Sequence, residues 1–438
     1  MAVQIPFATV SQVNKTTVVE DVFLTGLLAQ CQINEDEPQW LCDTRQQAKS
    51  WLSHLSVPSR RDEDWRFIDL ADLTAGKFVA PASKKAFDKT PLQKTADNRL
   101  VFVNGTYNAE LSDALALPKG IYVGNLKDLP QEHQAKEYFA RQHGMQDAFA
   151  SLNTAGGNDV AVIWASKNAV VETPIHLLFV TDGEQEATFT QPRILVVAES
   201  NSSFSWIEEY VGLGKYFTNA VTEIFLKANA RVNHTRLQQE SEASYHIGKT
   251  AISQARDSHY TINEINLGAK LFRHNPEVLQ QGEQTVSNLN GLTVATGEQT
   301  SDTHSIIALS KPHGNTDQLH KCIVGDRAHT VFNGKVFVTK EAQLTDATQL
   351  NRNLMLSPKA RVDTKPELQI TADNVKCAHG ATVSQLEADE IFYLRSRGLS
   401  ENDANQLLID AFAAEIIDRL QIESLKTRVN QAIEQKIK

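Results

Sequence analysis

Between Val160 and about Val383 the chain is written in short runs of Val, Ile, Thr, Asn and Gln, broken by small polar turns. That is strand chemistry: β-branched side chains suit a pleated, half-buried surface, and small polar residues suit its corners. The runs Ile194–Val197, Glu223–Leu226, Tyr260–Leu267 and Val336–Thr339 carry the pattern. Polar corners recur just ahead of an apolar residue. They are Asn201-Ser202-Ser203-Phe204, Asn229-Ala230-Arg231-Val232, Arg256-Asp257-Ser258-His259-Tyr260 and Gly282-Glu283-Gln284-Thr285-Val286. Phe204 to Val232 is 28 residues, Val232 to Tyr260 is 28 and Tyr260 to Val286 is 26. About half that step, 13, separates Val331 from Leu344 and Val362 from Val375, although Leu344 and Val362 lie 18 apart. A period of this size with no helix inside each unit predicts a β-solenoid whose turns each hold two strand layers. On pattern alone, a sandwich or several small sheets are close rivals.

The flanks carry a helical period instead. From Val19 to about Leu73, Val22, Phe23, Leu27 and Leu28 suggest one apolar face, and Trp40, Leu41, Ala48, Trp51, Leu52 and Leu55 a second. Pro58 interrupts, and the charge run Ser59–Phe67 reads as a solvated helix start with acids in its first turn. Ala80 to Asp97 is a loose connector, Arg99 to Tyr107 a strand with an Asn104-Gly105 turn, and Gln131 to Ser151 a helix. Gly156-Gly157-Asn158-Asp159 marks a boundary. Beyond Gln385, an amphipathic helix closes on Gly398 and Ser400 caps the next. The second helix carries a stripe through Leu407, Leu408, Ala411, Phe412, Glu415, Ile416, Arg419 and Leu420, and Ser424 to Lys438 forms a third. The expected division is 1–155, mostly helical; 156–384, the β core; and 385–438, helical.

Forty-three basic against 53 acidic residues give a net charge of −10, which argues against a nucleic-acid partner held by charge. The four cysteines, Cys31, Cys42, Cys322 and Cys377, are widely spaced without a CxxC pair, which fits neither a disulfide framework nor a structural zinc site. No apolar run is long enough to span a membrane, and the opening residues show neither an export nor a transit pattern. A reducing, cytoplasmic setting is the expectation. Gly212-Leu213-Gly214-Lys215 lacks the spacing of a phosphate loop and reads as a turn.

Candidate chemistry gathers at Cys377 and His379. Two positions apart on an extended backbone, they share one face, where a thiolate and an imidazole suit a soft or borderline metal; a buried cysteine beside a surface histidine is the plainer account. His320 and Cys322 mirror the pair in reverse, in a region that also holds His304, His313 and His329.

The stretch from Pro366 to Gly398, PELQITADNVKCAHGATVSQLEADEIFYLRSRG, resembles the C-terminal signature of the SufB/SufD family of iron–sulfur cluster assembly scaffolds. PSRRDEDWRF, from Pro58 to Phe67, resembles an N-terminal signature of the same family. Gly380 follows the histidine where SufB-type members usually carry an acid, so CAHGAT looks like the SufD branch. The resemblance implies a mainly β protein with a right-handed parallel β-helix core, an N-terminal α/β region and a C-terminal helical domain. It implies a non-enzymatic scaffold that pairs with a SufB-like paralogue and a SufC-like ATPase, or alone with a second copy. Cys377 and His379 would then handle transient iron or a nascent cluster at the boundary between chains, and two ligands hold such cargo only weakly. Val375 and the helical residues Phe392, Tyr393, Leu394 and Arg395 are the expected interface. No firmly bound cofactor is expected, and the resemblance leaves flavin binding open. The alternatives are a SufB-like main cluster carrier and, by fold analogy, a carbohydrate-active β-helix enzyme. The latter would want clustered carboxylates with Arg or Lys on one β face.

Overall fold

The computed structural model describes residues 21–31, 37–81, 95–113 and 117–437. The expected start at Val19, most of the connector between Ala80 and Asp97, and Lys438 lie outside the described residues.

Residues 161–385 form a parallel β-helix of two strand walls. On one wall, Arg231, His259, Val286, Asn315, Asp346 and Lys376 lie in one file, so successive turns take 28, 27, 29, 31 and 30 residues. The opposite wall stacks Tyr245–Gln254, Leu271–Gln280, Thr300–Leu309, His329–Val338 and Arg361–Ile370 in the same way. Each turn rounds one corner through a residue with positive φ: Asn168, Asn201, Asn229, Asp257, Gln284, His313 and Leu344. The N–H of each donates to a carbonyl of the following turn, from Asn168 to Ser200 through to Leu344 to Asn374. Asn and Asp tolerate this left-handed backbone better than most residues, which explains the polar corners of the sequence.

The expected file of inward residues holds for Phe204, Val232 and Tyr260, then fails. Tyr260 pairs with Ser287, and Val286 sits one place off, beside His259. A buried serine took the inward position, so the apolar pattern pointed to its neighbour. The half-period also fails, because Leu344 is itself a corner, half exposed, and Val375 precedes its strand. Gly212–Lys215 is not a turn: it lies within the long strand Ser203–Leu226. There Gly214, at φ 78°, passes so close to Gly183 that any Cβ would meet its carbonyl.

Both outer walls are covered. The C-terminal helices Glu401–Ile417 and Glu423–Ile437 lay Ile409, Ala413, Ile416, Leu420, Leu425, Val429 and Ile433 on Leu237, Ile265, Leu292, Leu319 and Leu354. Of the expected stripe, Ile416 and Leu420 are buried and Phe412 packs on the same cluster, but Leu407 points out and the first half of the helix buries Ala404, Ile409 and Ala413 instead. Ser400 does cap this helix, accepting from the Asp403 N–H, and Gly398 closes the short helix Ala388–Ser396 at φ 98°.

On the other wall, helices Val22–Leu28 and Gln39–Leu52 supply Leu24, Leu27 and Leu52 to a core shared with Phe217, Tyr245 and Leu271. Val22, expected on the apolar face, is exposed. The region 1–155 is less helical than expected. Asn98–Val103 is a strand that turns back at Asn104-Gly105 and also pairs in parallel with Ile175–Val180 of the solenoid. The single helix expected over 131–151 is broken, leaving Glu132–Ala135 and Ala148–Gly156, with positive φ at Ala140 and Gly144 between them. The charge run at Ser59–Phe67 is no solvated helix start. Its short 3-10 helix Glu63–Trp65 docks on the solenoid, where Lys335 donates to Asp64 at 2.6 Å, Lys365 to Glu63 at 2.9 Å, and Arg273 lies 3.9 Å over the Trp65 ring.

The break near Ala140 has a cause on the solenoid. Glu223 accepts the N–H groups of Ala140, Arg141 and Gln142 and pairs with the buried Arg193. One carboxylate thus anchors the N-terminal region to the β wall. Glu223→Gln keeps the shape but leaves Arg193 buried without its counter-charge, so a loss of about 3 kcal/mol is expected. A urea midpoint equal to that of the unaltered chain would exclude this anchor.

Candidate functional site

A parallel stack satisfies each strand by the next, so its last turn has an open edge. Arg361–Ile370 pairs with His329–Val338, and Lys376–Gln385 with Asp346–Met355; among the described residues nothing pairs with their far edges. The two strands also leave the bore uncapped. Strand alternation turns Val362, Thr364, Pro366 and Leu368 inward on one wall, and Cys377, His379, Ala381 and Val383 inward on the other. Most of these positions are partly or fully exposed, with Val383 at 51% and Ile370 at 38%.

Cys377 lies over Ala347 and His379 over Gln349, so the two share the inward face as their spacing predicted. Cys377 is half-buried and packs on the main core with Val375 and Leu368, whereas His379 is exposed. Burial, aided by the Asp346 carboxylate, raises the Cys377 thiol above its ordinary value. The sulfur is therefore a thiol in the isolated chain, and a metal must displace its proton to bind. Among the described residues no three His, Cys, Asp or Glu side chains are arranged to hold a metal. The remaining ligands for any cargo here must come from elsewhere. A side chain at position 380 would project to the other face, its Cβ 3.3 Å from Leu350 Cδ1, so glycine there takes nothing from the Cys377–His379 face.

The other histidines do not join this site. His304 faces Asp64 on an outer wall at 3.5 Å, His313 is a corner, and His329 pairs with Asp363 at 2.7 Å. His320 lies in the bore, stacked on Phe332 with Nε2 3.2 Å from Thr293 Oγ1, and burial draws it down to about 4. The Cys322 thiol is buried and pushed up to about 12. Their strand is two steps from Lys376–Gln385, roughly 9.5 Å at ordinary strand spacing, so the two Cys/His pairs form no joint metal site.

Of the other expected interface residues, Val375 is a core contact, Phe392 and Tyr393 are 74% and 57% exposed, Leu394 is partly buried, and Arg395 pairs with Glu401 at 3.2 Å. The structure places Phe392 and Tyr393 on their own helix after the last strand, separate from the strand that carries Cys377. Leu368 and Pro366, the opposite lip of the open end, were overlooked in the sequence. Their signal was the weak alternation in Arg361–Ile370.

Two family models match: the SUF system FeS cluster assembly SufBD core domain over residues 179–412, and the SufBD protein N-terminal region over residues 27–177. A SufBD family protein of iron–sulfur cluster assembly from Synechocystis is 46% identical over 97% of each chain. The iron–sulfur cluster assembly protein SufD of Escherichia coli is 34% identical over 90% of this chain and 92% of its own. The chloroplastic protein ABCI7 of Arabidopsis thaliana is 37% identical over 83% of this chain and 79% of its own. Most of the β-helix, with its open end, falls within the core match and helix Gln39–Leu52 within the N-terminal one, and on both counts the chain belongs to the SufBD family of SUF iron–sulfur cluster assembly proteins.

Proposed function

We propose that this chain is a non-enzymatic scaffold subunit of SUF cluster assembly. In this reading its open solenoid end pairs with a SufB-like chain, and Cys377 and His379 handle iron or a nascent cluster at the seam. The observation that carries the reading is the coincidence of three things on one turn: an unpaired strand edge, an uncapped apolar bore and two soft-metal ligands. A partner strand would satisfy the edge, bury the lip and bring the missing ligands. Weak ligation by two groups suits cargo that is to be passed on. A reducing cytoplasm fits four free cysteines. Among the described residues no helix is long and apolar enough to cross a membrane.

Cys377→Ser and His379→Ala are expected to leave folding unchanged and to lower the cluster yield of the assembled complex several-fold. Serine keeps the shape and loses the sulfur, so the loss reads ligation rather than packing. The check is visible absorbance after anaerobic reconstitution, alongside the melting temperature of each variant. Full yield from the double variant would refute the assignment.

Pairing and ATPase binding are separable. Val383→Asp puts a charge on the exposed lip and is expected to weaken association with the SufB-like chain by at least tenfold, measured by light scattering on mixed chains. Phe392→Asp with Tyr393→Asp, on the exposed helix face, is expected to abolish binding of the SufC-like ATPase without moving the melting temperature. Removing all of 385–438 is the poorer test, because the helices beyond Glu401 cover the apolar outer wall. ATPase binding undiminished in the double variant would rule out that helix as the docking face.

A further inference from the structure

The middle of the bore contains a buried ionic cluster that the scaffold role does not use. Glu208 and Glu264 point inward from their strands and Glu240 lies just past the strand Arg231–Gln239, together with Arg236, His234, His246 and His274, and all are buried. Three carboxylates face one guanidinium. Tyr210, Tyr216 and Tyr260 line the same space, but burial holds their hydroxyls well above their ordinary value, so they carry no charge. His320, two strands on from Glu264 in the same file, is drawn down to about 4 by burial and is neutral. With all imidazoles neutral the bore would hold two uncompensated negative charges, which a low-dielectric interior does not tolerate.

The hydrogen-bond geometry says where the missing protons sit. Arg236 Nη2 lies 2.6 Å from His246 Nε2. A guanidinium only donates, so that ring nitrogen is bare; its Nδ1–H donates to Glu240 at 2.6 Å, and His246 is a neutral tautomer. The other two histidines are free of this restriction. His234 has Nε2 3.1 Å from a Glu208 oxygen and Nδ1 2.9 Å from the Tyr260 hydroxyl. His274 has Nδ1 2.8 Å from a Glu264 oxygen and Nε2 2.8 Å from Thr250 Oγ1. A hydroxyl accepts as readily as it donates, so the His274 ring has acceptors for two N–H groups, while the His234 ring has one at Nδ1 and holds Nε2 at ion-pair distance from the Glu208 carboxylate without a hydrogen bond.

We infer that His234 and His274 are imidazolium ions in the folded chain and His246 is neutral, so that the bore is electrically neutral and the solenoid holds two protons that its unfolded chain releases. The cluster then makes the stack a proton-linked device, stable while the two protons stay and loosened when they leave. Burial outweighs the neighbouring Glu208 and Glu264 carboxylates at His234 and His274, with the Arg236 guanidinium adding to it, and draws each below its ordinary value. Two neutral rings would nevertheless leave the doubly negative bore, and the charge balance of the whole set decides against that.

The sign follows by linkage. An imidazolium retained by a carboxylate has a folded value above the unfolded one of about 6.5. Its stabilisation is fully present below that value and is lost as the pH rises through the folded one. Nitrogen-15 spectra of the histidine-labelled full chain at pH 7.5 test the assignment, with His234→Gln and His274→Gln identifying the resonances. The expected result is two protonated ring nitrogens at each of these histidines and one bare nitrogen at His246. A bare nitrogen at both His234 and His274 overturns the inference. Urea midpoints from pH 6.5 to 9 give a second reading that needs no resonance assignment. Stability is expected to fall with pH, and Glu208→Gln or Glu264→Gln each to lower the proton number read from the slope by one. A slope unchanged in both variants overturns it as well. If either variant fails to fold, the spectra of the unaltered chain decide alone.

Discussion

Every turn of this protein is held by the turn beside it. Parallel strands exchange backbone hydrogen bonds along both walls, and the corner residues from Asn168 to Leu344 repeat the exchange through left-handed backbone. A solenoid of this kind is stabilised by nearest-neighbour contacts, so it has no single centre. The same rule requires that it end somewhere with an unsatisfied edge. The strands Arg361–Ile370 and Lys376–Gln385 are where that occurs, and Cys377 and His379 sit on the second of them.

Stacking also decides what covers the walls. Alternation sends half the side chains outward, and many of these are apolar, so helices must bury them. The C-terminal pair covers one wall through Ile409, Ile416 and Val429, and the N-terminal helices cover the other through Leu24, Leu27 and Leu52. The acid-rich segment with Glu63, Asp64 and Trp65 extends the cover along the second wall to Lys335 and Lys365, close to the open end. A signature that looked like a solvated charge run is thus the ionic seam between the N-terminal region and the last turns.

The inward half of each strand meets a different constraint, for the bore is narrow and enclosed everywhere but at its last turn. It accepts polar and even charged side chains only if they satisfy one another, as Glu208, Arg236, Glu264 and their histidines do. Small residues make the room. A Cβ on Gly291 would run into the His320 ring at Nδ1, so glycine is required opposite that ring. Groups so enclosed are out of reach of substrate, and this leaves the uncapped rim as the place where inward-facing chemistry meets solvent.

Local sequence determined the strand and helix classes, the polar corners, the Ser400 cap and the sharing of one face by Cys377 and His379. Each follows from backbone preference or from the two-residue repeat of a strand, and neither needs knowledge of neighbours. The family signatures added the β-helix itself, which the degenerate repeat left open against a sandwich. What the chain alone did not fix was register and partnership. Val286 and Ser287 exchanged places because a buried serine with a hydrogen-bond partner fits the inward file as well as a valine does. The helix expected over 131–151 broke because Glu223, some eighty residues on, captures the N–H groups at its middle. The two Cys/His pairs parted because one intervening strand separates their turns. The open rim and the ionic bore arise only when distant segments stack, since a strand edge is free or paired, and a charge balanced or not, according to neighbours that the local sequence does not contain.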